Sequence, residues 1–327
     1  MTSGCRLRAA DRRWRALPVA IAAALLLGAC STGDGASPAP SSPVAQYPGW
    51  PGSGGAVGKS DFIPLLVNSE LATGSQRIMV EVQDSAGRSL TSADLAVQIG
   101  VYDLAASTET PVSQATGTFR WLIPDTKAIY TAPATFAHAG DWGLEVTGHA
   151  AGVADRTARV TFSVRDKTGT PAIGADAPPS DTLTATDPAA LPAISTDAHP
   201  NPAFYTLSVK EAVAAGKPFV LVFATPLFCT SGTCGPALDL VKEVAPTYAG
   251  KVNFIHVEPY VLEVKDGRTQ PVVGVTGYPQ PIRAVAEWGL PTEPYVFVVD
   301  AHGKVAAKFE GMAYPDELTA ALDALLP

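Results

Sequence analysis

Between residues 61 and 166 apolar and polar side chains alternate in short runs. The alternation is clearest in Ile78-Met79-Val80-Glu81-Val82-Gln83 and in Arg159-Val160-Thr161-Phe162-Ser163-Val164. Such a period places one side of a strand in a core and the other in water. Breaks follow at Asp84-Ser85-Ala86-Gly87, Pro124-Asp125, Ala139-Gly140-Asp141 and Gly152. Seven strands are predicted, over 61–68, 76–84, 94–104, 112–123, 128–136, 141–148 and 157–165. Short strands spaced this way predict an all-β, two-sheet sandwich. Beyond residue 201 the pattern changes. A helical stretch at 208–215 precedes the continuous apolar run Phe219-Val220-Leu221-Val222-Phe223, the mark of a strand buried on both faces. A helix over 234–248, a strand over 252–257, a short helix over 282–288, strands over 295–300 and 305–309, and a closing helix over 315–326 complete an α/β order.

Two stretches lack periodicity. Residues 30–60 are rich in Ser, Gly, Pro and Ala and read as a flexible stalk. Its only aromatics, Tyr47 and Trp50, are expected to make no specific contact, as isolated linker aromatics do, with docking on a neighbour as the alternative. Residues 167–200 hold six Pro and no aromatic residue and read as a second linker, along which the two domains reorient. The predicted organisation is therefore 1–29, 30–60, 61–166, 167–200 and 201–327. Residues 259–281, rich in Pro and Gly, read as a solvated surface loop, with contact to a substrate or to the sandwich as the alternative.

The N-terminus carries an address. Arg6, Arg8, Arg12, Arg13 and Arg15 stand before an apolar run over 16–27, too short to span a bilayer as a helix. This is the order of a secretory signal peptide. The run ends in Leu27-Gly28-Ala29-Cys30, which resembles the bacterial lipobox. That resemblance implies cleavage before Cys30, lipidation of Cys30, and a protein tethered by two acyl chains to the outer face of the cell membrane. The chain's net charge of −8 argues against a nucleic acid partner. In the sandwich, Ala139-Gly140-Asp141-Trp142-Gly143-Leu144-Glu145-Val146 resembles a turn-to-strand motif of exported immunoglobulin-like modules. It implies an immunoglobulin-like sandwich with Trp142 in its core.

The chemistry concentrates in Phe228-Cys229-Thr230-Ser231-Gly232-Thr233-Cys234-Gly235-Pro236, just after the buried strand. Two thiols there open a helix, whose free N–H groups and partial positive charge favour thiolate. Two further features accompany them: Trp288-Gly289-Leu290-Pro291-Thr292-Glu293-Pro294-Tyr295 leading into a strand, and Gly311 before the last helix. Together they resemble the thioredoxin superfamily, especially its exported, membrane-tethered members, over about 120 residues from Phe204 to Leu326. The resemblance implies a thioredoxin-like α/β domain and thiol–disulfide exchange with client thiols or disulfides, without a cofactor. It implies that Cys229 attacks and Cys234 resolves, that Pro294 is a cis-proline, and that Glu293, Pro294 and Phe228 border the substrate groove.

Three departures stand out. Four residues rather than two separate the cysteines, Phe228 replaces the usual Trp, and the strand at 220–223 offers no buried acid. Which sulfur lies at the helix end stays open on the spacing alone, and so does the use of the pair. A redox-silent binding module with a structural disulfide is one rival. A Cu(I) site of two thiolates and a His is another. The nearest strand histidine, His256, reads as a satisfied, partly buried residue rather than a ligand.

Overall fold

The computed structural model describes residues 47–52 and 61–326. The predicted signal peptide, Cys30 with its lipid, and most of the stalk lie outside the described residues.

Alternating positions become strands β1 (Ile63–Leu66), β2 (Gly74–Gln83), β3 (Ala96–Asp103), β4 (Ser113–Thr116), β5 (Thr118–Ile123), β6 (Lys127–Phe136), β7 (Gly140–His149) and β8 (Arg156–Val164). They form two antiparallel four-stranded sheets, ordered β1-β2-β6-β5 and β4-β3-β7-β8. Ile78, Val80 and Val82 of one sheet meet Val97, Ile99, Val101, Leu144 and Val146 of the other in a shared core. Trp142 is buried among them and edges against Phe136. The stretch 112–123, read as one strand, is two: at Gly117 the chain leaves the second sheet and enters the first. A period-two pattern cannot register that exchange, because both halves alternate equally well.

The stalk aromatics correct their expectation. Trp50 is buried, edges against Tyr102, lies under the Arg159 guanidinium, and donates its indole N–H to the Thr108 carbonyl at 2.9 Å. It rests on Gly143, where a Cβ would come within 2.3 Å of the indole ring. Tyr47 donates to Asp141.

The C-terminal part is a mixed α/β region. Strands β9 (Phe219–Phe223), β10 (Asn253–Val257), β13 (Tyr295–Val299) and β14 (Val305–Glu310) order as β10-β9-β13-β14. The β9–β10 pair is parallel and the other pairs are antiparallel. Side-chain alternation divides the central strands between two cores. Val220, Val222, Val296 and Val298 face α2 (Cys234–Val244) and α4 (Pro315–Asp323). Phe219, Leu221, Phe223 and Phe297 face α1 (Val209–Ala214) and α3 (Arg283–Glu287). Burial on both faces explains the continuous apolar run of β9. The 259–281 stretch is not a plain loop: it holds the hairpin β11 (Leu262–Lys265) and β12 (Arg268–Pro271).

The linker at 167–200 does not behave as a spacer. Ala177, Ala185, Leu191 and Ser195 are buried. The segment exchanges backbone hydrogen bonds with the α/β region: Gly174 N–H to Val305 O, Val305 N–H to Ala175 O, and Ala177 N–H to Gly303 O. Small residues bury little area each, so their composition reads as flexible although their backbone is fully engaged. The sandwich and the α/β region also abut directly, and both belong to one compact unit. Arg77 pairs with Glu317 and donates to the carbonyls of Met312 and Glu310. Arg120 pairs with Asp316, and Tyr314 donates to Trp121 O. Glu70 accepts from Gly169 N–H and the Thr170 hydroxyl. Of these pairs Arg77–Glu317 is shielded on both sides, whereas the Asp316 carboxylate stays largely in solvent.

Candidate functional site

Strand β9 delivers the chain to Thr225, and a loop over 226–233 carries it to α2. Cys234 is the first residue of α2 and is wholly buried. The helix runs inward because Ala237, Leu238 and Val241 line its buried face. Gly232 turns the loop with a φ of +74°, a conformation other residues rarely adopt. The turn brings Cys229 back over the helix end, so that the Cys234 N–H donates to Cys229 Sγ at 3.3 Å. Thr233 precedes the helix but makes no side-chain cap; its hydroxyl instead lies 2.7 Å from Ser231 Oγ. Ser231 Oγ in turn lies 3.1 Å from Cys229 Sγ.

The two thiols are free, with Cys229 partly exposed and Cys234 beneath it. Their ordinary acidities split apart. The Cys234 thiol donates to Cys229, and with the Ser231 hydroxyl and the Cys234 and Thr233 N–H groups it draws the Cys229 pKa down to about 5, against the opposing cost of burial. Cys234 moves up, because it donates to Cys229 and is desolvated. The geometry favours charge on Cys229, which is the more exposed sulfur and accepts the Cys234 N–H, although Cys234 begins the helix.

The Glu293–Pro294 peptide bond is cis, at the residues the resemblance indicates. The Pro294 carbonyl accepts from Gly311 N–H at 2.9 Å. Burial raises the Glu293 carboxyl, and the Cys229 charge adds to that rise. Tyr260, from the segment after β10, donates to Glu293 Oε1 at 3.2 Å, and its own hydroxyl is pushed up to about 12 by burial and by Glu293. A cavity of about 210 Å³ opens beside Glu293, lined among others by Tyr260, Pro281, Leu290 and Pro291. Phe228 is partly exposed next to Leu227, whose side chain is largely in solvent. A larger cavity, about 410 Å³, lies in the seam between sandwich and α/β region; neither cysteine lines it, and its arginines are already paired.

A buried acid lies beyond the end of β10, the strand next to β9. Glu258 follows β10 and is buried; desolvation pushes its carboxyl up to about 7. One oxygen accepts from the Thr196 hydroxyl at 2.7 Å. The other, Oε1, and the buried Thr225 hydroxyl face each other without reaching good hydrogen-bond geometry. The Thr225 N–H donates to Cys234, whose thiol is also raised by the charge of Glu293. Ser231, Tyr260 and Glu258 are residues that motif spacing misses. Ser231 carries no signal within a polar loop, and Glu258 is marked only as an acid that directly follows an apolar strand.

His256 does not complete a copper site. Its Nε2 donates to Ala224 O at 2.9 Å and its Nδ1 accepts from the Tyr205 hydroxyl at 2.8 Å. Burial lowers its pKa to about 4, so the ring is neutral and both nitrogens are engaged. Among the described residues no group of three His, Cys, Asp or Glu side chains is placed to hold a metal ion. Among them, too, no helix is long and apolar enough to cross a membrane. Compared with protein-family models and with curated proteins, the chain matches none.

Proposed function

We propose that this chain is an exported, lipid-anchored thiol–disulfide oxidoreductase, with an immunoglobulin-like sandwich joined to a thioredoxin-like domain. One observation carries the reading: an accessible Cys229 receives donors from Cys234, Ser231 and the start of α2, directly above a buried second thiol. Thiolate at neutral pH is what nucleophilic exchange needs. The Cys229 thiolate attacks one sulfur of a client disulfide. A Cys229–client bond forms, and the second client sulfur leaves as thiolate and takes a proton from water. Cys234 then gives up its proton and attacks Cys229 Sγ. The mixed disulfide breaks, the client departs as a dithiol, and Cys229 and Cys234 are joined. The client has gained two electrons and two protons. Run backwards, the same steps oxidise client thiols.

Glu293 is the carboxyl whose charge bears on the pair: it raises the Cys234 thiol and is itself raised by Cys229. Glu293, Pro294 and Phe228 would border the client segment, and Cys30 would tether the site to the membrane's outer face.

The test is the reduction potential of the pair, with trapping of mixed disulfides by Cys234→Ala. Expected are a potential above about −300 mV and covalent adducts on Cys229. A potential well below about −300 mV marks a structural bond and favours a redox-silent binding module.

A further inference from the structure

The sandwich reaches into the thiol site. Strand β5 is an edge strand of its sheet, and an edge requires cover. Here the α/β region covers it. Leu122 joins Ala237, Leu240, Met312 and Tyr314 in an apolar cluster. Trp121 O accepts from the Tyr314 hydroxyl, and the Arg120 guanidinium lies 4.8 Å from the Tyr314 ring centre. Thus the β5–β6 hairpin is fixed along its flank, and its tip is carried onto the cysteine loop.

Two side chains of that tip touch the loop. Ile123 Cδ1 stands 3.3 Å from where a Cβ on Gly232 would be. Lys127 donates from Nζ to Ser231 O at 3.0 Å, across 104 positions of sequence. Ser231 is the residue whose hydroxyl faces Cys229 Sγ. A serine in a loop has three staggered side-chain positions open to it, and only a placed backbone aims its hydroxyl at one partner. With Cys229 ionised, the sulfur can only accept. The Thr233 hydroxyl then donates to Ser231 Oγ, and Ser231 donates to the sulfur.

We propose, on the exchange reading above, that the β5–β6 hairpin is a wall of the thiol site and that Lys127 is a positioning residue, holding Ser231 against Cys229. The sandwich thereby serves the chemistry directly rather than acting as a tether. The other titratable groups facing Cys229 are Cys234 from α2, Glu293 from the segment before β13, and Tyr260 from the segment after β10. All three stay in place when Lys127 is changed, so a change in Cys229 titration reports on Lys127 and Ser231.

The experiment uses the reduced full chain and iodoacetamide, with alkylation of Cys229 followed against pH by mass spectrometry. Lys127 is exposed, so Lys127→Ala leaves the core packing intact. Expected is a rise in the titration midpoint equivalent to a roughly two- to tenfold weaker acid, the range of one hydrogen bond. Lys127→Arg restores the midpoint. Ser231→Ala raises it, and adding Lys127→Ala to Ser231→Ala raises it no further, because the first acts through the second. An unchanged midpoint in Lys127→Ala, a failed rescue by Arg, or full additivity overturns the proposal. No client enters this measurement. A shifted midpoint in a protein that exchanges with no client therefore refutes the exchange reading and leaves the positioning role standing.

Discussion

The two regions solve burial differently. In the sandwich both sheets turn a face to one shared core, into which Ile78, Val80 and Ile99 point. In the α/β region the central strands β9 and β13 are buried on both faces, between one core with α2 and α4 and another with α1 and α3. A strand with two covered faces offers no exposed face. Groups that it positions for solvent lie beyond its end, which is where the cysteine loop and the start of α2 lie. The sandwich keeps an open edge, β5, and spends it on the seam beside that loop.

That contrast can be broken most forcefully at Phe297, which is wholly buried on the α1–α3 face. Phe297→Ala is expected to cost about 3–5 kcal/mol. Ile99→Val in the sandwich should cost about 0.5–1.5 kcal/mol, both read from urea unfolding. Arg77 tests whether the regions unfold together. Arg77→Ala removes the pair with Glu317 and two carbonyl contacts and leaves Glu317 shielded and unpaired. A loss of about 3 kcal/mol and a single calorimetric transition that splits in two are expected. One unsplit transition at the original midpoint would show that the seam contributes nothing.

Glu258 sharpens the comparison through pH. Its folded pKa near 7 lies above the ordinary 4.5, so the folded chain binds this proton more tightly than the unfolded one. The associated stability is fully present below about pH 4.5 and is lost as pH rises through 7. The fall is on the order of 2–3 kcal/mol. Glu258→Gln should remove it, as the difference between variant and parent in urea unfolding at pH 4.5 and pH 8. The smallest effect is local. Ser208 accepts from Glu211 N–H at 3.2 Å, and its own N–H donates to Glu211, a reciprocal cap on α1. Ser208→Ala is expected to cost about 1 kcal/mol in thermal unfolding.

Legibility followed the range of the interactions. Strand β9, helix α2 and the β13–β14 hairpin stand within a residue or two of their sequence ranges, except that the helix read to 248 ends its α-helical turns at Val244. Period and turn residues report local burial, and local burial decides these elements. The place of Cys234 at the start of α2 was legible in the local pattern, and the cis bond before Pro294 in the resemblance its flanking residues carry. The linker at 167–200 was misread because Ala, Pro and Thr pack through backbone hydrogen bonds that composition does not register. Trp50 was misread for the opposite reason, since its partners Tyr102, Gly143 and Arg159 lie far along the chain.

By itself, then, the sequence determined where the thiols fall and most of the strands and helices, though neither the break at Gly117 nor the 262–271 hairpin. Those properties depend on neighbours a few residues apart. The tertiary structure alone decided that the Cys234 N–H meets Cys229 Sγ, that Glu258 is buried beyond the end of β10, and that Lys127 of the sandwich meets Ser231 of the loop. Each depends on groups that approach within hydrogen-bond range only after the sheets close. An acidity or a contact of that kind is set by distance in space, and no local pattern of residues encodes it.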